Sequence, residues 1–390
     1  VRSVSGTGAG VVTATGGTLT INQPNTAYTF DGTFEGSLNI VKAGLQTLTL
    51  TGDHTTTGAF GVIGNTVTIK DNGAFFSMAS VSVNGSTLNV DNTGTTDLAD
   101  RLNDSAWLAL NSGSLIYKGR ASTNSTETLG NVTANTGMGS LTATAGGSGS
   151  AELTLTSLAR STGATLKLDG SNLGTAGNSG RIFVSGGIAS LSGSLTPING
   201  VVPGVFRKPG GGQVSQVGYV DALGFGSVGQ AGGFPAIFNG ALDAAAATDN
   251  VAGASAWVVK SGGQTINSMT PGNTTFLDDA DTLTIASGMI TYGGESPGKL
   301  GVAGGIRGKI TSGTNELFWI KQNGGSGGGI SANINSVITD NGASPVKFVI
   351  ASYERDDLQN QRPFLSAHNT YSGGTVMTGG NTLFLGASSN

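Results

Sequence analysis

The chain has 390 residues, 67 of them Gly, with only 11% charged side chains and a formal charge of −4. So near-neutral a chain, with Val, Ile, Leu and Thr recurring throughout, is not the charged, apolar-poor composition of a disordered protein, and its Gly share is more than twice the usual value of about 7%. Without any Cys it holds no disulfide framework, no Cys-ligated metal centre and no Cys nucleophile. Its 19 Lys+Arg against 23 Asp+Glu, with no basic cluster, argue against nucleic acid as a partner. No run approaches the roughly 18 apolar residues of a membrane helix.

In chain order, strand signals arrive every 8 to 15 residues or so. "GTLTINQ" (17–23), "GSLNIVKAG" (36–44), "QTLTLTG" (46–52), "NTVTIKD" (65–71) and "STLNVDN" (86–92) alternate apolar with small polar residues. "SLIYKG" (114–119), "AELTLTSL" (151–158), "ATLKLDG" (164–170), "RIFVSGG" (181–187), "DTLTIASGMITYGG" (281–294) and "NTLFLG" (381–386) follow. Period-two alternation puts one face inward and leaves Thr, Ser, Asn or Lys outside. Gly, Asn and Asp bound the runs and tolerate the positive φ of tight turns. The best helical candidate, "ALDAAAATD" (241–249), is about two turns long.

A repeat near 20 to 30 residues predicts stacked coils, each burying its apolar face on the next. About 12 to 16 such coils at about 4.8 Å would make a body on the order of 60–75 Å long. An array of β-sandwiches is the alternative; low aromatic content favours the narrow core of a parallel β-helix. The expected organisation is a solenoid section over 1–196, an irregular Pro/Gly-rich excursion over 197–250 with Pro197, Pro203, Pro209 and Pro235, and a second solenoid section over 251–390. "NGGSGGG" (323–329) reads as a flexible loop. The chain opens at Val1 without Met or a basic leader, consistent with a removed signal peptide or a piece of a larger protein.

At 36–58 and again at "HNTYSGGTVMTGGNTLFLG" (368–386) the sequence resembles the autotransporter-associated β-strand repeat. Asn369, Thr370, Tyr371, Gly373, Gly374, Thr375, Val376 and Leu383 carry the later copy. Lys42, Gly44, Leu48, Thr49, Leu50 and Gly52 carry the earlier one, where His54, Thr55 and Thr56 replace Asn-Thr-Tyr. The stretch 100–170 is similar to segments of large secreted proteins of planctomycete and verrucomicrobial type. The resemblance implies a secreted, right-handed β-solenoid at the bacterial cell surface and no catalytic residue. It places His54 and His368 at equivalent repeat positions.

Several motifs invite chemistry. "GFGSVG" (224–229) matches a dinucleotide fingerprint in letters only, since "QAGGFP" cannot open the helix that the fingerprint needs. Asp278, Asp279 and Asp281 are the candidates for Ca²⁺ or for acid/base work on sugars, against the plain reading of a solvated turn. Glu354, Arg355, Asp356, Asp357 and Arg362 read as a solvated charge cluster, with a lateral contact between subunits as the alternative. Trp107, Trp257 and Trp319 are candidates for stacking on sugars or for packing. No catalytic residue, metal site or cofactor is assigned.

The expected function is a non-enzymatic extracellular structural protein that associates end to end with copies of itself into a filament or sheath. Its association edge would be Tyr371, Val376, Thr382, Leu383, Phe384 and Leu385, because an uncovered strand edge pairs with other strands. An adhesin or glycan-binding solenoid using 197–250 is the alternative, and a β-helix polysaccharide lyase or hydrolase the second.

Overall fold

The structure is a computed structural model that describes residues 1–2, 4–5, 10–209, 213–253, 257–292, 299–322, 333–352, 364–379 and 383–385. It is all-β, with mostly parallel sheets, none of them closed, and three short 3₁₀ turns as the only helical elements among the described residues. The expected helix over 241–249 is one of these turns, Leu242–Ala244. The chain divides into two compact units: Val1–Gly193 with Val220–Gly226, and Ser194–Tyr219 with Ser227–Asn390. The stretch 197–250 is therefore shared between them.

In the first unit the main ladder has eight parallel strands, from Thr18–Asn22 to Gly180–Val184. Its inward positions stack in register, Leu19 beside Ile40, Phe60, Val81, Leu108, Val132 and Leu158 in turn. A second ladder stacks Tyr28, Leu48, Val67, Leu88, Leu115, Leu141 and Leu168 in the same way. Pairing offsets run from 19 residues (Leu48 to Val67) to 29 (Leu153 to Ile182), which is the periodicity expected of the repeat. The apolar alternation of "TVTIK" and "TLNVD" places every second side chain inside, so each level contributes two or three apolar residues per ladder to the core.

Close stacking also explains why Gly recurs. A Cβ on Gly52 would stand 2.1 Å from the carbonyl oxygen of Gly32 one level below. Gly44 adopts φ +82°, and a Cβ there would lie 2.5 Å from the Gln23 carbonyl oxygen.

In the second unit a ladder of seven strands runs from Ile237–Phe238 to Thr375–Thr378. Its inward side chains include Met269, Ile290, Trp319 and Ile350. Unlike the first ladder, its central strands are buried on both faces: every residue of Met289–Tyr292 and Glu316–Lys321 is buried. The Pro/Gly-rich segment of the same unit lies against it, with Gly204 N–H donating to Met289 Sδ (3.0 Å), Gln216 Nε2 to the Met269 carbonyl (3.0 Å) and Val214 N–H to Gln322 Oε1 (2.9 Å). Val205–Arg207 and Ser215–Val220 form an antiparallel pair within this segment, and Pro235 packs where Gly200 and Gly218 leave room.

Candidate functional site: an uncharged sheet face

The three tryptophans, alike in sequence, separate in the structure. Trp257 and Trp319 are 3% and 0% exposed, whereas Trp107 is 50% exposed. Trp107 begins Trp107–Asn111, and because Leu108 points inward, Trp107 projects from the outer face of the main ladder. Its indole Nε1 donates to Thr133 Oγ1 on the following strand at 3.2 Å, which fixes the ring across two levels while leaving half of its surface free.

The two rows of outward positions around Trp107 carry no charge, and the outward ion pair of this ladder, Arg181 with Glu152, lies farther along its last strands. One row passes Ala59, Ser80, Trp107, Asn131 and Ser157. The neighbouring row passes Gly61, Ser82, Ala109, Thr133 and Ala159. Ser157 Oγ donates to Asn131 Oδ1 (2.7 Å) and Asn111 Nδ2 to Asn84 Oδ1 (2.7 Å), so amides and hydroxyls form ladders across the strands. Five levels at about 4.8 Å give this patch a length of about 19 Å.

A buried polar network holds the turn that delivers Trp107. Arg101, fully buried, donates from Nη1 to the Gly73 carbonyl (2.6 Å) and from Nη2 to the carbonyls of Asp71 (2.9 Å) and Thr96 (2.8 Å), and from Nε to Asn92 Oδ1. Glu127, also buried, accepts the N–H groups of Arg101 (3.0 Å) and Leu102 (2.9 Å). Burial pushes the Glu127 carboxyl well above the ordinary carboxylate range, against the pull of those N–H donors and of the Arg101 charge. Asn103 Nδ2 bonds the Met78 carbonyl (2.9 Å), and its Oδ1 accepts Ser105 N–H (3.0 Å), completing the turn. Nothing in the sequence marks Arg101 as internal, because arginines are seldom buried unpaired and its partners are mostly backbone carbonyls.

The residues singled out in the sequence are engaged with backbone. Asp281 accepts Gly262 N–H (2.6 Å) and Asp278 N–H (2.9 Å) through its two oxygens. Asp278 accepts Ala280 N–H (2.7 Å), and Asp279 accepts Arg307 N–H (2.7 Å). These carboxylates thus cap turns, and among the described residues no three His, Asp or Glu side chains gather as metal ligands. His54 is buried in an aromatic stack, 4.4 Å from Phe75 and 5.0 Å from Phe34 between ring centroids, while His368, expected at the equivalent place in the sequence, is exposed. Burial lowers His54 to about 4, and its Nδ1 accepts Phe34 N–H (3.2 Å), which requires the neutral ring.

Of the expected association edge, Thr382 lies outside the described residues, as do Glu354, Arg355, Asp356, Asp357, Arg362 and residues 323–329. Val376 is half-buried within Thr375–Thr378, which pairs on one side with Lys347–Ser352 and, among the described residues, with no strand on the other. Tyr371 and Leu383 pack against the core of this unit, with Tyr371 6.0 Å from Phe348, and Phe384–Leu385 pairs with Phe364–Leu365. Leu385 is 75% exposed. A small cleft of about 360 Å³ in the same unit is lined by Asn273, Thr275, Lys299, Asn333 and Asn335. No helix among the described residues is long and apolar enough to cross a membrane.

No known family, curated protein or solved structure matches the chain. Function must therefore be argued from these residues.

Proposed function

We propose that the chain is a structural protein of the bacterial cell surface, each unit a right-handed parallel β-solenoid, and that copies associate end to end. The observation that carries the structural reading is where the charged and polar side chains go: they brace one level against another. Lys42 Nζ donates to the carbonyls of Gly44 (3.0 Å) and Gly64 (2.7 Å). Arg101 reaches the carbonyls of Asp71 and Gly73 in the turn at 71–73, and Arg307 Nη1 reaches the Ser366 carbonyl (2.7 Å). Thr56 Oγ1 donates to the Leu38 carbonyl (2.7 Å).

The repeat residues have the same kind of role. Asn369 Oδ1 accepts Ile338 N–H (2.8 Å) and Asp340 Oδ1 accepts Ser372 N–H (2.9 Å), tying the later copy to the level below. Parallel in-register pairing supports a solenoid over sandwiches, whose sheets are antiparallel. Right-handedness follows the usual hand of crossovers between parallel strands. The extracellular placement rests on the resemblance to surface-protein repeats.

Self-association rests on Thr375–Thr378, since a strand that among the described residues is paired on one side alone is a template for another. Negative-stain microscopy and light scattering of the purified chain test it. Filaments that Met377→Lys disperses are the expected outcome; particles of one size at every concentration would remove the reading.

A further inference from the structure

We infer that the outer face of the first unit's main ladder, centred on Trp107, binds a neutral polysaccharide. This site is separate from the structural reading and stands or falls without it. The sequence offered three tryptophans for sugar stacking, and of these the fold leaves only Trp107 exposed, over half of its surface. Its Nε1 bond to Thr133 holds the indole in place before any ligand arrives, so little side-chain entropy is lost on binding. A pyranose presents axial C–H groups on its faces and hydroxyls around its rim. An exposed aromatic beside short hydroxyl and amide side chains matches both at once.

Asn131 and Ser157 continue the row from Trp107, one level apart, with Ser157 Oγ donating to Asn131 Oδ1 and Asn131 itself exposed. Ser80 and Ser82 hold the corresponding places on the preceding level. An inter-strand step of about 4.8 Å is close to the length of one sugar ring, so an extended glycan can offer hydroxyls to successive levels.

The charge of the face selects the occupant. With no Lys, Arg, Asp or Glu in the two rows, an acidic polysaccharide finds no counter-charge and a neutral one loses no ionic hydration. A second copy of the chain fits less well. Apart from Trp107 the patch offers Ala, Gly, Ser, Thr and Asn, without the apolar centre that a stable protein interface carries.

The test uses the full chain with microcrystalline cellulose, chitin and soluble xylan and mannan as probes, measured by depletion and by affinity electrophoresis. Retention on at least one polymer is expected, with Trp107→Ala weakening it tenfold or more, as for an interface hot spot. Asn131→Asp, which keeps the size and adds a charge, should weaken it comparably and decides the matter if Trp107→Ala does not fold. No retention on any of the four polymers, or retention unchanged in Asn131→Asp and Trp107→Ala, overturns the inference. A dimer that Trp107→Ala disperses, without retention on glycan, overturns it in favour of a second copy.

Discussion

The main ladders of the two units are built on the same parallel pairing and differ in what lies on their outer face. In the first unit the strands alternate, as in "SVSVN", and their outward Ser, Thr, Asn and Ala meet solvent. In the second, "ELFWIK" and "KFVIAS" are apolar on both sides, and Met289, Phe318, Ile320 and Val349 on the outward side are fully buried. The difference is the segment carrying Pro203, which lies against the second ladder and has no counterpart on the first among the described residues. A parallel sheet covered on both faces reads as a continuous apolar run, and one covered on a single face as an alternation. Covering fixes a ladder; leaving it open keeps a surface on which ligands can act.

The sharpest break of this comparison is a matched pair of substitutions. Trp319→Ala, in the covered ladder and stacked 5.8 Å from Tyr292, should cost about 3–5 kcal/mol in urea unfolding. Arg101→Met should cost a similar 3–5 kcal/mol or so, since it strips the carbonyls of Gly73, Asp71 and Thr96 of a donor and removes the cation beside the buried Glu127 carboxyl. Adding Glu127→Gln should recover part of that loss; an equal loss in the double variant would show that the two do not act together.

Acid gives the next effect. The His54 pKa falls from about 6.5 in the unfolded chain to about 4 in the fold, so the unfolded state binds the extra proton between those values. The associated stability is present above about pH 6.5 and declines as pH falls toward 4, by about 3 kcal/mol at most. The rings packed on His54 are Phe30, Phe34 and Phe75, none able to offset a charge. His54→Phe should flatten this component of the melting-temperature profile; an unchanged slope would assign it to other groups. Lys42→Met should cost about 1–3 kcal/mol by stranding the Gly44 and Gly64 carbonyls. The smallest effect falls on the open face, where Trp107→Ala should change stability by only about 0.5 kcal/mol. A loss as large as that of Trp319→Ala would mean that Trp107 is packed and not presented.

Alternation made the first unit legible. The strands at 17–23, 36–44, 65–71 and 86–92 stand where the apolar–polar period puts them, because one face is buried and the other wet. The strands Glu316–Lys321 and Lys347–Ser352 were not legible, since burial on both faces erases the period. "DTLTIASGMITYGG" read as one run and is two strands, Thr282–Ile285 and Met289–Tyr292, turned at Gly288 with φ +70°. At the site, Trp107 was legible as a residue type but not as the exposed one. "WLALN" shows inward Leu108 and Leu110, and only the register with the neighbouring strands says that the opposite face is uncovered. Arg101 left no signal, because its partners are backbone carbonyls brought near by stacking.

The chain has no Cys, so single cysteines can report on each face directly. Ser82→Cys lies on the open face of the first unit, and Thr291→Cys replaces a fully buried side chain on the covered face of the second. Under native conditions a maleimide should label Ser82→Cys and leave Thr291→Cys unlabelled until urea unfolds it. Equal labelling of the two would contradict the contrast between an open and a covered face.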